Sequence, residues 1–565
     1  MADCKVESQE VPGSGDRILG EDVTFLPKKE SLKNGSTLVA SDECRLLSKE
    51  DLIRLDREQP VWRRIRIALI ALFWIIWILL LAASVLIIVF SPKCPPRPTL
   101  QFWQSKVAYW LNPFTFKDSD GDLIGDLNGV SEAADYIADK LGAGFVILTP
   151  LMPWYPKYAP ASFQPNYSSI HPALGTMKDF GSLLRTLKKR GIETVISLDF
   201  NGIPTNHEWA SRAGFLIPRP ASMNPSRTEF GSLENVGGQT FYSTYGKGSG
   251  MVDLNLASTD VLEAVKVWVL MADAGNIGYG VRTHDDSLSL AGTGERPGAH
   301  MVVNRYFTFL RGWKLLPADP SLTDKSIGSY VAMMNSTNVT VGLATASPSN
   351  NPYSDLISTV STFLLPGTPI IYYGSELGIN PSNSVLPPNV FYPFGQSPQP
   401  NSREDSTIGS SLPMPWDFTG KKFSVNSSVS MYFEKYLSES HITETVEAVL
   451  AANRGPNVFN LTASLLRLRK EYPSLQWGSV TNDISVVKPK HVEIFKRAAE
   501  GFPSVVAVVL FKSNVTAVLD FSSVCEKLVP IFMQPPASLM ELKKELSSNV
   551  VYLQAPEDSV YVFQC

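Results

Sequence analysis

The longest apolar run in the chain, IALIALFWIIWILLLAASVLIIVF, covers residues 67–90 without a charge. As a helix, these 24 residues reach about 36 Å at about 1.5 Å per residue, enough to cross a hydrocarbon core of about 30 Å. Helices buried in a soluble core rarely run this far without a polar residue. A cleaved signal peptide fits poorly, because the run starts far from the N-terminus and is too long. A single transmembrane span is therefore expected at 67–90.

Beyond the span, short apolar runs alternate with helical periodicity. GAGFVILTP reads as a buried strand, FGSLLRTLKKRG as an amphipathic helix and IETVISLDF as a strand again. TDVLEAVKVWVLMADAG (259–275) reads as a helix, followed by a strand in IGYGVRT (277–283). Strand, helix, strand in repetition predicts a parallel sheet. A closed barrel and an open doubly wound sheet both fit the pattern, and no glycine-rich phosphate loop favours the open form. The C-terminal runs VVAVVLF, VTAVLDF, NVVYLQA and SVYVFQC are β-branched and separated by turns, which predicts a small antiparallel domain. Ahead of the span, only LSKEDLIRLD (47–56) has helical periodicity. Residues 1–66 otherwise read as a mostly disordered tail.

A length of 565 residues allows two or three folded units plus extensions. The net charge of -4 supplies no basic footprint and excludes nucleic acid as a natural partner. Arg54, Arg57, Arg63, Arg64 and Arg66 precede the span, against Lys93, Arg97 and Lys106 after it. Basic flanks stay in the cytosol, so the N-terminus is expected inside and the C-terminal body outside. Cys4 and Cys44 then face a reducing compartment. Of the three external cysteines, Cys525 and Cys565 share the C-terminal region and form a candidate internal pair. Cys94 stands on a proline-stiffened stalk (91–104) with nothing nearby to pair with. It is left for an intermolecular bond, an unpaired or lipid-modified cysteine being the plainer alternative. External glycosylation sequons fall at Asn166, Asn335, Asn338, Asn426, Asn460 and Asn514.

Acid is concentrated in DSDGDLIGD, which places Asp118, Asp120, Asp122 and Asp126 on one glycine-bent loop. Carboxylates this dense repel each other unless a hard cation sits among them. Alternate residues of such a loop point inward and supply the oxygen-rich shell that calcium prefers. A solvated acidic turn is the alternative.

That loop lies in NPFTFKDSDGDLIGDLNGV. With MVDLNLAS (251–258), LPGTPIIYYGSELG (365–378) and MPWDF (414–418), it resembles the alpha-amylase superfamily, in particular its oligo-1,6-glucosidase-like branch. LTASLLRLRKEYPSLQWG (461–478) resembles the helix that closes that barrel. The resemblance implies an α/β architecture: a (β/α)8 TIM barrel over residues 105–477, a short insertion at 206–251 and a C-terminal antiparallel β-sandwich over 478–565.

Retaining glycosidases use two carboxyls about 5 Å apart, placed at the C-terminal ends of barrel strands. In this superfamily the nucleophilic aspartate closes a fourth-strand pattern G-F-R-x-D. Here that stretch reads Gly278-Tyr279-Gly280-Val281-Arg282. Arg282 thus stands in the nucleophile slot, and a guanidinium cannot attack an anomeric carbon. Asp285 and Asp286 follow in the loop, too far along the strand to aim at the same point. Met334 falls near the acid/base position, and Asp199 is kept while Asn206-His207 is displaced by three residues. The catalytic set reads as dismantled, with no catalytic cofactor expected.

A short tail with LSKEDLI, basic residues before one span, a cysteine just outside it and an amylase-like body without catalysis resemble the heavy subunits of heteromeric amino-acid transporters, solute carrier family 3. The resemblance implies a non-catalytic type II glycoprotein of the plasma membrane. Such a protein escorts a multi-span light subunit through a disulfide, here at Cys94, and through contacts of the span. It also implies structural calcium on Asp118, Asp120, Asp122, the Ile124 carbonyl and Asp126. One helix without polar groups makes no transport path by itself. Two alternatives remain at this level: a membrane-anchored alpha-glucosidase with relocated carboxylates, and a cell-surface carbohydrate- or protein-binding receptor using a vestigial cleft.

Overall fold

The computed structural model describes residues 49–58, 60–90, 97–148, 151, 170–196, 202–218, 232–243, 250–264, 271–273, 301–304, 340–344, 360, 362–379, 412–451, 457–481, 486–487, 492–510, 515–535, 540–555 and 559–565. It divides into two compact units, Met1–Lys93 and Cys94–Cys565.

In the first unit, α1 (Lys49–Glu58) precedes α2 (Pro60–Phe90). Proline opens α2, where its missing N–H costs nothing because the first helical N–H groups lack partners anyway. The helix runs 31 residues, so the predicted apolar run is extended at its N-terminus by the turns that carry Arg63, Arg64 and Arg66. No residue of α2 is buried, and its apolar side chains are exposed all round. Among the described residues, α2 is the one helix long and apolar enough to cross a membrane.

Among the described residues, the second unit is built on seven parallel strands: β1 (Ala108–Leu111), β2 (Phe145–Leu148), β3 (Glu193–Ile196), β4 (Met271–Asp273), β5 (Met301–Asn304), β6 (Thr340–Ala344) and β7 (Thr368–Tyr372). Their order is β3-β2-β1-β7-β6-β5-β4. The first strand therefore lies beside the last, with Tyr109 opposite both Val146 and Ile371. Every position of β1, β2 and β7 is buried. Strands covered on both faces carry continuous apolar runs rather than alternation, which is why GFVIL was legible as a strand. Helix α3 (Met177–Lys189) starts on a capping box between Thr176 and Asp179 and buries Leu183 and Leu187 against the sheet.

One expectation is corrected. Of the helix read over 259–275, Thr259–Ala264 is helical, residues 271–273 instead form strand β4, paired with β5, and the remainder lies outside the described residues. Short apolar runs do not distinguish helix from strand by periodicity, and here the ladder to β5 decides.

Between β3 and β4, Gly202–Pro204 pairs antiparallel with Met251–Asp253 and encloses the hairpin Ser232–Val236/Gln239–Ser243. Gly237 and Gly238 turn that hairpin with φ of 59° and 84°, a two-residue loop that needs left-handed backbone at both positions. The segment has its own small core of Ile203, Trp209, Phe215, Leu216, Val252 and Leu254.

Helix α4 (Val458–Glu471) is separated from α5 (Pro473–Trp477) by Tyr472, whose extended backbone suits the residue before a proline. The C-terminal strands are β8 (Ser479–Thr481), β9 (Val492–Ala498), β10 (Val505–Leu510), β11 (Val515–Leu519), β12 (Lys527–Gln534), β13 (Leu546–Ser547), β14 (Val551–Ala555) and β15 (Ser559–Gln564). They form a six-stranded sheet, β8-β9-β10-β15-β12-β13, and a two-stranded sheet, β11-β14. Side chains alternate along a strand, and β10 uses both faces. Val506, Val508 and Leu510 pack on the core shared with β11 and β14, while Val505, Ala507 and Val509 join the core of the parallel sheet. Two buried arginines tie the segment before β7 to its neighbours, one from α4 and one from β9. Arg469 donates to the carbonyls of Phe363, Leu365 and Gly367, and Arg497 reaches Leu364 (2.7 Å) and Gly478 (2.9 Å).

Candidate functional site

The acidic loop follows β1 and is shaped by its own backbone. Asp118 is buried, and its Oδ1 accepts from the amides of Asp120 (3.0 Å) and Gly121 (2.7 Å). Its Oδ2 accepts from the Leu123 amide (2.8 Å) and the Ser424 hydroxyl. Asp126 caps the helix Leu127–Glu132, accepting from the Gly129 amide at 2.8 Å. Any side chain at Gly129 would run into the Lys117 carbonyl, so a glycine is required for this close approach.

Carboxylate oxygens of Asp118, Asp120 and Asp126 come within 4.8 Å of one another. Asp122 stands outside this trio, with its Oδ1 accepting from the Ile124 amide at 2.7 Å. Burial and the neighbouring carboxylates push the pKa of Asp122 up to about 6, and burial raises that of Asp118. An oxygen-only trio of closely spaced carboxylates, two of them buried, fits a hard cation chemically. Part of the expected ligand set is thus brought together, and Asp122 is directed elsewhere.

A strap at residues 423–426 covers the loop. Asp118 donates its amide to the Phe423 carbonyl (2.9 Å), and Asn426 Nδ2 donates to the Gly121 carbonyl (2.7 Å). Asn426, a predicted glycan acceptor, is therefore half-buried and engaged with the loop. Asn460 lies in the first turn of α4, half-buried. Cys525 and Cys565 form a disulfide, with Cα atoms 5.3 Å apart.

Many sequence-predicted positions lie outside the described residues: Arg282, Met334, Asp199, Asp285, Asp286, Cys94, Asn166, Asn335, Asn338 and Asn514. His207 is described. It is buried beside Trp209 in the small core of the insertion, where its Nδ1 accepts from the Trp209 amide and burial lowers its pKa. Among the C-terminal residues of the described parallel strands, Asp273 at the end of β4 is the one that bears a carboxyl.

Sequence reasoning passed over Glu376, in the turn after β7. It is wholly buried, and its Oε1 accepts from the hydroxyls of Tyr109 (2.7 Å) and Tyr136 (2.9 Å). Desolvation pushes its pKa up to about 7. An acid inside the apolar motif IIYYGSELG was the available signal. Tyr109 alternates with Trp110 along β1, so Glu376 is on the face opposite the Trp110–Tyr372 ring contact. It serves the packing between the sheet and its outer layer.

Residues 37–109 match the family described as Solute carrier family 3 member 2 N-terminus, and residues 110–222 match Alpha amylase, catalytic domain. The chain is 34% identical over 185 residues to the amino acid transporter heavy chain SLC3A2 of Oryctolagus cuniculus, covering 31% of this chain and 33% of that protein. It is 35% identical over 154 residues to the amino acid transporter heavy chain SLC3A1 of Rattus norvegicus, covering 26% and 21% respectively. A trehalose-6-phosphate hydrolase of Escherichia coli is 37% identical over 112 residues, 20% of each chain. The matched stretch thus spans a third or less of each of these relatives. Among solved structures, an alpha-amylase from H. orenii superposes with a TM-score of 0.59 at 17% identity, covering 82% of this chain and 99% of that one. That likeness concerns the fold alone.

Proposed function

We propose that this chain, a member of the solute carrier family 3 heavy subunits with an alpha-amylase-like body, is the non-catalytic ancillary subunit of a multi-span amino-acid transporter. The match over residues 37–109 carries this reading, because it joins the end of the tail, the span and the stalk in one block. In our reading, α2 crosses the plasma membrane with the N-terminus in the cytosol, as its basic N-terminal flank supports. Cys94 forms the disulfide to the light subunit, and the span packs against it, with Ala82, Ala83 and Ser84 available for close approach. The external body is the part that accompanies the light subunit to the surface, and its sequons carry glycans.

The same reading closes the parallel sheet into a (β/α)8 barrel and makes the C-terminal sheets a β-sandwich. Arg282 in the nucleophile slot of the sequence supports the absence of glycosidase chemistry. Calcium belongs to this proposal as a structural ion, held by Asp118, Asp120 and Asp126, where it would offset the mutual repulsion of their carboxylates.

The test is co-expression with candidate light subunits, followed by a non-reducing gel. A high-mass band that collapses with reductant and is lost in Cys94→Ser is expected. Unchanged migration of that variant would remove the disulfide. The relatedness to a trehalose-6-phosphate hydrolase favours one rival, a membrane-anchored glucosidase. Turnover of maltose or isomaltose by the purified protein, abolished by Asp199→Asn or Asp285→Asn, would establish it in place of the ancillary role.

A further inference from the structure

Helix α2 is longer than its apolar run requires. Its 31 residues span about 46 Å, against about 30 Å of hydrocarbon. The uncharged residues 67–90 fill that thickness, and an arginine is costly inside it. The first two turns therefore stand at headgroup level. They carry Arg63, Arg64 and Arg66, all exposed, and the nearest acidic residue in sequence is Glu58, ahead of Pro60.

At about 100° per residue, the three arginines fall within an arc of about 160°, and Val61, Trp62 and Ile65 fall on the opposite side. The turn thus has one cationic face and one apolar face, with an indole suited to anchoring at the interface. Diffuse attraction to a negative leaflet needs only net charge. Three guanidinium forks within a single turn offer more, since each takes two oxygens of a phosphate in a planar pair.

We propose that Arg63, Arg64 and Arg66 form a headgroup site for a polyphosphorylated inositol lipid of the cytoplasmic leaflet. The proposal rests on the reading of α2 as a span with its N-terminal side in the cytosol. It does not need the light subunit.

The test places the full chain in nanodiscs holding phosphatidylinositol bisphosphate, or phosphatidylserine at matched total charge. Retained lipid is counted by native mass spectrometry. Nanodiscs are open on both faces, so the result is independent of topology in the cell, and failure of the transporter reading would not mimic failure here. The wild-type chain should retain one inositol lipid. Each arginine replaced should weaken retention about fivefold, and R63Q/R64Q/R66Q together by about 100-fold. Equal retention of phosphatidylserine, no retained lipid, or an unaffected triple variant would each overturn the site.

Discussion

Glu376 shows how a single buried side chain couples the stability of this fold to pH. Its carboxyl is sealed between β1, the segment containing Tyr136 and the turn after β7, and it meets two tyrosine hydroxyls. Tyr373 is the further titratable group beside Tyr109. Burial raises the Glu376 pKa from 4.5 to about 7, so the folded chain holds this proton more tightly than the unfolded chain. The associated stability is full below about pH 4.5 and is lost as pH rises through about 7, at most roughly 3 kcal/mol. Thermal unfolding followed from pH 5 to pH 8 should therefore show a fall in Tm for the wild-type chain that is flattened in Glu376→Gln. The amide keeps an oxygen for the tyrosines and does not titrate in this range. Identical slopes for both would remove the buried neutral acid. The sequence held Glu376 in plain view, but not the tyrosines that meet it from 267 and 240 residues away.

At the level of elements, the acidic loop and the strap over it behave as one unit. The strap supplies the Phe423 carbonyl, the Ser424 hydroxyl and the Asn426 amide, each bonded to the loop. If a cation neutralises the trio, a chelator should lower the Tm of the chain, and Asp120→Ala should lower it similarly while abolishing the chelator response. A Tm indifferent to chelator would leave a plain acidic turn. Loop composition made this element legible, because four aspartates in nine residues have few physical excuses. The strap was not legible, since SVNSS reads as a glycosylation sequon until the chain brings it to Gly121. Buried strands were found from runs such as GFVIL. Strand β4 at 271–273 was not legible, because a short apolar run suits either a helix or a strand until a neighbour offers hydrogen bonds.

At the scale of the second unit, the six-stranded sheet joins the parallel sheet through an apolar face and through buried Arg497, which bonds the Leu364 carbonyl ahead of β7. Such a body suits being held as a rigid piece. The apolar α2, exposed all round, needs lipid or another helix around it. Organisation at this scale was readable from a single uncharged run, an arginine-rich flank and motifs in a fixed order. The arginine clamp was not, because its acceptors are backbone carbonyls that leave no mark in sequence. The central claim is that this chain accompanies a transporter rather than cleaving sugar. Its most direct test is to purify the tagged full chain in mild detergent and identify what comes with it by mass spectrometry, with maltose and isomaltose assayed on the same sample. The account predicts a multi-span amino-acid transporter subunit in about equal amount and no turnover. A chain that purifies alone and hydrolyses either sugar would contradict it.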